Sequence, residues 1–134
     1  MDYVDVPLRV RYADTDMMGI VYYGVYPVYL EVGRSEYMRE KGFPYREFEK
    51  MGYSLIVSEM AIKYHNPAVY DDLLVVRTSI ADIQSRGLAF AYEILKDGLT
   101  VVLGKTRHIC VNAARKPTRL PAPLVQMLKN DGAP

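Results

Sequence analysis

Residues 12–26 read YADTDMMGIVYYGVY, and at this stretch one periodicity ends and another begins. Upstream, Val4, Val6, Leu8, Val10 and Tyr12 alternate with Asp5, Pro7, Arg9 and Arg11. This period of two predicts a strand with one buried and one wet face. Pro7 cannot donate a ladder hydrogen bond, so the strand is expected at a sheet edge. Downstream, Tyr26, Leu30, Gly33 and Tyr37 form one stripe at helical spacing, and Val25, Val28, Tyr29 and Val32 form a second beside it. Together they predict a long helix with a wide apolar face laid against a sheet.

The limits of that helix are also readable. Pro27 is tolerated in a first turn, where its missing N–H costs little, and Lys41-Gly42 is a usual stop. Gly33 inside a helix costs about 1 kcal/mol relative to alanine, which points to a close approach of the backbone to the sheet. Residues 44–50 predict a further short helical turn. From Tyr53 the pattern reverts to strands, at residues 53–65, 73–83, 88–96 and 100–112, broken at Asn66-Pro67, Asp71-Asp72, Ser85-Arg86-Gly87 and the hairpin signal Asp97-Gly98. Short connections imply antiparallel pairing. The expectation is an α+β domain over residues 1–134, a five-stranded antiparallel sheet wrapped around one long helix. A basic, proline-rich tail, ARKPTRLPAP from Ala114, is expected to pack on its surface with a short helix at residues 124–128.

Composition narrows the function classes. Seventeen basic residues against 16 acidic ones give a net charge of +1, which offers no electrostatic footprint for nucleic acid or an anionic membrane. No apolar window approaches a membrane span, and the N-terminal MDYVDVPLRV lacks a leader pattern. The single cysteine, Cys110, excludes an intrachain disulfide and fits a buried thiol in a reducing, cytoplasmic setting. Walker, dinucleotide and G-x-S-x-G signatures are absent. Asp14 and Asp16 occupy positions one and three of a calcium-loop pattern, but Met18 and Val25 fall where oxygen ligands are required, and His65 and His108 have no second ligand at metal spacing. No metal and no cofactor are expected.

What remains is a carboxylate beside a helix N-terminus, where free N–H groups can hold a developing oxyanion. Its bland counterpart is a pair of aspartates capping turns. The order strand, acidic loop, glycine, tyrosines and buried helix favours chemistry. Y-x-D-T-D-x-x-G-x-V-Y-Y-x-x-Y over Tyr12 to Tyr26 resembles the signature of the 4-hydroxybenzoyl-CoA thioesterase family of hotdog-fold acyl-CoA thioesterases. The resemblance extends to E-x-x-R-S-E-Y at Glu31 to Tyr37, S-L-I-V-S-E-M at Ser54 to Met60, P-A-x-Y-D-D-L-L at Pro67 to Leu74 and K-P-T-R-L-P at Lys116 to Pro121.

The resemblance implies hydrolysis of an acyl-CoA to a free acid and coenzyme A, the latter being part of the substrate and not a cofactor. Asp16 matches the catalytic carboxylate, acting as nucleophile or general base. Tyr23 matches the position whose backbone N–H polarises the thioester carbonyl. Relatives often carry histidine there, so its side chain is given no acid–base role. Gly19 gives the loop clearance, and Asp14 shapes it. Tyr22, Tyr26 and Tyr29 are candidates for the acyl pocket. Ser58 and Glu59 are proposed to face the site of a neighbouring subunit, and Arg86 to meet the CoA phosphates, with Arg119 and Lys116 as weaker candidates. The family further implies a homodimer, commonly paired to a tetramer, and leaves an acyl-carrier protein as an alternative to CoA. A hydratase or dehydratase on the same fold, or a non-catalytic acyl-CoA binding module, are the rival readings.

Overall fold

The computed structural model describes residues 2–132. Five strands, β1 (Val4–Arg9), β2 (Ser54–Tyr64), β3 (Leu73–Gln84), β4 (Gly87–Lys96) and β5 (Leu99–Val111), make one antiparallel sheet in the order β1-β3-β4-β5-β2. The long helix α1 (Tyr26–Glu40) crosses its inner face, followed by the short α2 (Tyr45–Lys50). The C-terminal α3 (Ala122–Gly132) closes the chain. A sheet around one helix is what the alternation of periods predicts, and it is the hotdog arrangement that the family resemblance implies. β1 lies at one edge, as Pro7 requires, and β2 at the other.

Pro27 falls in the first turn of α1. The chain can pack α1 so tightly because of Gly33. A Cβ there would meet Thr78 Oγ1 at 2.5 Å and Val76 Cγ1 at 2.7 Å on β3. Tyr26, Tyr29, Leu30, Tyr37 and Met38 are buried around that seam. Val28 of the second apolar stripe is instead 52% exposed, because the sheet covers a narrower sector of the helix than the two stripes span. The strand expected to run to Tyr12 stops at Arg9; residues 12–14 form a 3-10 turn and Tyr12 points outward, 77% exposed. Tertiary bonding overrides alternation here, since Asp14 is drawn inward.

Asp97 and Gly98 take positive φ, 49° and 80°, in the β4–β5 hairpin, the geometry of a primed turn matched to strand twist. Register shifts on β2 between Val57 and Glu59, and on β3 between Ile80 and Asp82, are bulges of the kind that bend strands and help a sheet curl. The tail is more than a surface segment. Leu124 and Leu128, one turn apart on the same face of α3, are buried in the core together with Leu120 just before the helix.

Candidate active site

The acidic stretch folds as a tight hairpin. Thr15 bridges Val21, the Asp16 N–H bonds the Ile20 carbonyl at 3.0 Å and the Gly19 N–H returns to the Asp16 carbonyl at 2.9 Å. Gly19 sits at φ +80°, and a Cβ there would meet nothing within 4 Å. The glycine is therefore required by backbone conformation and not by crowding. The Met18 N–H donates to Asp16 Oδ1 at 2.8 Å, which orients the carboxylate and leaves Oδ2 for a water or a substrate atom. The hairpin is pinned to the segment before β3 by the Ile20–Val69 bridge and by the Val21 N–H on the Ala68 carbonyl.

Asp14 faces the other way and is 2% exposed. Its Oδ1 accepts Arg11 Nη2 at 2.9 Å, and its Oδ2 accepts the Arg11 main-chain N–H at 3.1 Å and the Tyr29 hydroxyl at 2.7 Å. Burial by itself raises the pKa of this carboxyl, but the hydrogen bonds from Arg11 and Tyr29 with the Arg11 charge outweigh it, and the net shift is downward. The same contact raises Tyr29, burial first and the Asp14 bond second. The Asp14 carbonyl accepts the Tyr22 N–H at 2.9 Å. Asp14 thus ties loop, turn and helix together.

The chain enters α1 through a 3-10 turn, Tyr23–Val25. N–H groups at the start of such a helical segment have no partner within it, and Tyr23 is the first residue of this turn. Asp16, Met18, Ile20, Val21, Tyr23, Tyr26, Tyr64, His65, Asn66 and Pro67 enclose a cavity of about 400 Å³. A carboxylate and a helix start therefore share one cavity with mostly apolar walls. Tyr26 is buried, its phenol pushed up to about 12 by burial first and by Tyr64 and Asp72 second.

The other sequence candidates fall elsewhere. Tyr29 stands at Asp14, away from the walls of this cavity. Tyr22 is exposed and packs its ring on Tyr23, centroids 4.7 Å apart. Ser58 occupies the β2 bulge, its hydroxyl on the Arg107 carbonyl at 3.2 Å. Glu59 pairs with Arg107 at 3.6 Å, on the convex face, since Arg107 alternates with the buried Thr106 and His108. Arg86 lies exposed in the β3–β4 turn. The Leu120 N–H bonds the Ser85 carbonyl at 2.9 Å, so Ser85, Arg119 and Lys129 line one groove of about 570 Å³. Lys116 sits in a separate turn, its N–H on Asn112 Oδ1.

Tyr64 and the residues 65–67 are site members that pattern reading did not single out. They line the cavity because the end of β2 reaches the start of the helix, where the Tyr64 ring meets Tyr26 and its hydroxyl the Tyr23 carbonyl. Only the Asn66-Pro67 break hinted at a loop there. Among the described residues no three His, Cys, Asp or Glu side chains converge as metal ligands would, and no helix is long and apolar enough to cross a membrane.

Comparison with known proteins agrees with this geometry. Residues 10–128 match the family model described as the thioesterase-like superfamily. The acyl-CoA thioester hydrolase YbgC of Escherichia coli O6:H1 is 30% identical over 125 residues, 92% of this chain and 93% of its own length. A crystal structure of the hypothetical protein TT1821 from Thermus thermophilus superposes with a TM-score of 0.92 at 34% identity, covering 95% of this chain and 98% of that one. That of the DHNA-CoA thioesterase from Staphylococcus aureus gives 0.89 at 31%, covering 100% and 97%. With a curved sheet around one helix, a carboxylate and a helix start on one cavity, and a family match spanning nearly its whole length, the chain belongs to the thioesterase-like superfamily.

Proposed function

We propose that this protein is an acyl-CoA thioesterase whose chemistry is carried by Asp16. The observation that supports this is the placement of an oriented carboxylate and the first residue of a helical segment on the walls of one largely apolar cavity. Asp16 attacks the thioester carbonyl carbon, or takes a proton from a water that does so. The tetrahedral oxyanion is received by the Tyr23 N–H with the helix dipole behind it. Collapse expels the coenzyme A thiolate; where water attacked, the free acid is left directly, and where Asp16 attacked, an acyl–Asp16 anhydride is left that a water then hydrolyses to the free acid and the regenerated carboxylate. Tyr26 and the apolar side chains of Ile20 and Val21 bound the acyl group. The Arg86 turn, with Arg119, supplies cations for the CoA phosphates.

Subunit association belongs to the same reading. β2 is an eleven-residue edge strand with Ile56, Val57, Met60 and Tyr64 all exposed, the kind of edge that proteins pair or cover. A second copy joined there makes a homodimer and brings its own β2, with the Ser58 bulge, toward the neighbouring site, while Glu59 stays on the convex face with Arg107. Arabidopsis thaliana ATL3, 26% identical, is an acyl-acyl carrier protein thioesterase, so a carrier-borne acyl group is the alternative donor. A cytoplasmic setting suits either one.

The test is steady-state hydrolysis of aromatic and short-to-long aliphatic acyl-CoAs by wild type and Asp16→Asn. Turnover of at least one thioester by wild type, with a loss of about a thousandfold or more in Asp16→Asn, is expected. No turnover across the panel, or near-normal kcat in a folded Asp16→Asn, removes the assignment. Ligand binding without turnover would instead identify a binding module.

A further inference from the structure

An α-helical carbonyl at position 23 looks for the N–H four residues onward, and that residue is Pro27, which has none. The main chain answers with the tighter 3-10 spacing over Tyr23–Val25, a weaker bond geometry. A side chain from another element completes it. The Tyr64 hydroxyl, at the end of β2, donates to the Tyr23 carbonyl at 3.2 Å. Its ring stands edge-on to Tyr23 and Tyr26, centroids 6.5 and 5.7 Å apart. Tyr64 faces the helix, since its register partner Val102 is buried in the core, and it lines the cavity that holds Asp16.

We infer that Tyr64 is a positioning residue for thioester hydrolysis, a clamp from the edge strand that holds the Tyr23 turn in the orientation its N–H groups need to receive the oxyanion. The inference rests on the thioesterase reading above. Tyr23 is 63% exposed, and its ring pairs with the exposed Tyr22 and Tyr64, so Tyr64 restrains this turn from the solvent side. A donor aimed at a developing charge loses its effect when it is free to reorient, because catalysis depends on preorganisation. Loss of the clamp should therefore act on the transition state more than on ground-state binding.

The experiment compares wild type, Tyr64→Phe, Pro27→Ala and the double variant with the best thioester of the acyl-CoA panel, with Asp16→Asn as reference. Tyr64→Phe keeps the ring and removes the hydroxyl. It should lower kcat about tenfold, with KM within about twofold and an unchanged melting temperature. Pro27→Ala returns an N–H to the position that Tyr64 serves. In that background Tyr64→Phe should cost no more than about twofold in kcat, a rescue that a merely structural tyrosine would not show. The inference is overturned if Tyr64→Phe keeps kcat within twofold of wild type while Asp16→Asn is inactive, or if the kcat loss is equally large in the Pro27→Ala background. In both of those cases the thioesterase reading stands, whereas a wild type inactive on every thioester brings down both.

Discussion

The Tyr29 hydroxyl donates a 2.7 Å hydrogen bond to Asp14 Oδ2, fastening the first turn of the central helix to the loop that carries Asp16 two residues on. The two aspartates of one D-T-D motif thus have opposite surroundings, Asp14 buried and fully bonded, Asp16 half-buried at a cavity wall.

Tyr29→Phe should destabilise the protein by about 1–2 kcal/mol in urea unfolding, the cost of leaving a buried acceptor with one partner fewer. Asp14→Asn should cost more, since Arg11 also loses its charge partner. The folded Asp14 carboxyl titrates below its unfolded value. Its contribution is therefore complete above the ordinary carboxylate range and is lost as pH falls through the lowered folded pKa. Urea midpoints below about pH 4 should fall more steeply for wild type than for Asp14→Asn.

His108, 1% exposed, is pushed down to about 4, by burial first and by the Arg34 charge second, against a smaller opposing effect of the Leu55 backbone. Its Nε2 meets Thr106 Oγ1 at 2.8 Å. Because the unfolded chain takes up the proton first, the protein should lose about 3 kcal/mol of stability as pH drops from about 6.5 to about 4. His108→Gln should flatten that part of the stability–pH profile, and an unaltered profile would contradict the assignment.

Gly33 and Gly19 predict contrasting variants. Gly33→Ala forces a methyl into Thr78 and Val76 and should lower stability by about 2 kcal/mol even after the gain in helix propensity. Gly19→Ala meets no neighbour. Its cost is the positive φ alone, about 1 kcal/mol, but the distorted hairpin should reduce kcat by a larger factor than Gly33→Ala does. Paired melting curves and steady-state kinetics check both.

Sedimentation equilibrium should return at least twice the 15.3 kDa chain mass. Met60→Glu, on the inner face of the open edge strand, should shift the population toward monomer and lower turnover with it. A wild type that sediments as a monomer while fully active would sink the paired-edge reading.

Periodicity and turn residues were enough to determine five strands, one long helix and the edge position of β1, because those features are local, and short connections gave the antiparallel sense, but not that β2 crosses to pair with β5 instead of β3. Alternation, helical spacing, Pro27, Gly42 and Asp97-Gly98 each act within a few residues of themselves. The D-T-D-x-x-G motif likewise located the cavity wall that Asp16 occupies. Sequence alone did not determine which tyrosines share that wall. Tyr29 goes to Asp14, and Tyr64 comes in from the end of a strand, 41 residues beyond the Tyr23 it bonds, a proximity that only the folded chain sets. Nor could spacing foresee the Ser58 bulge, which shifts the β2 register and places Glu59 on the convex face. One extra residue in a strand reverses the face of everything beyond it, and only the paired neighbour strand reveals where that residue lies.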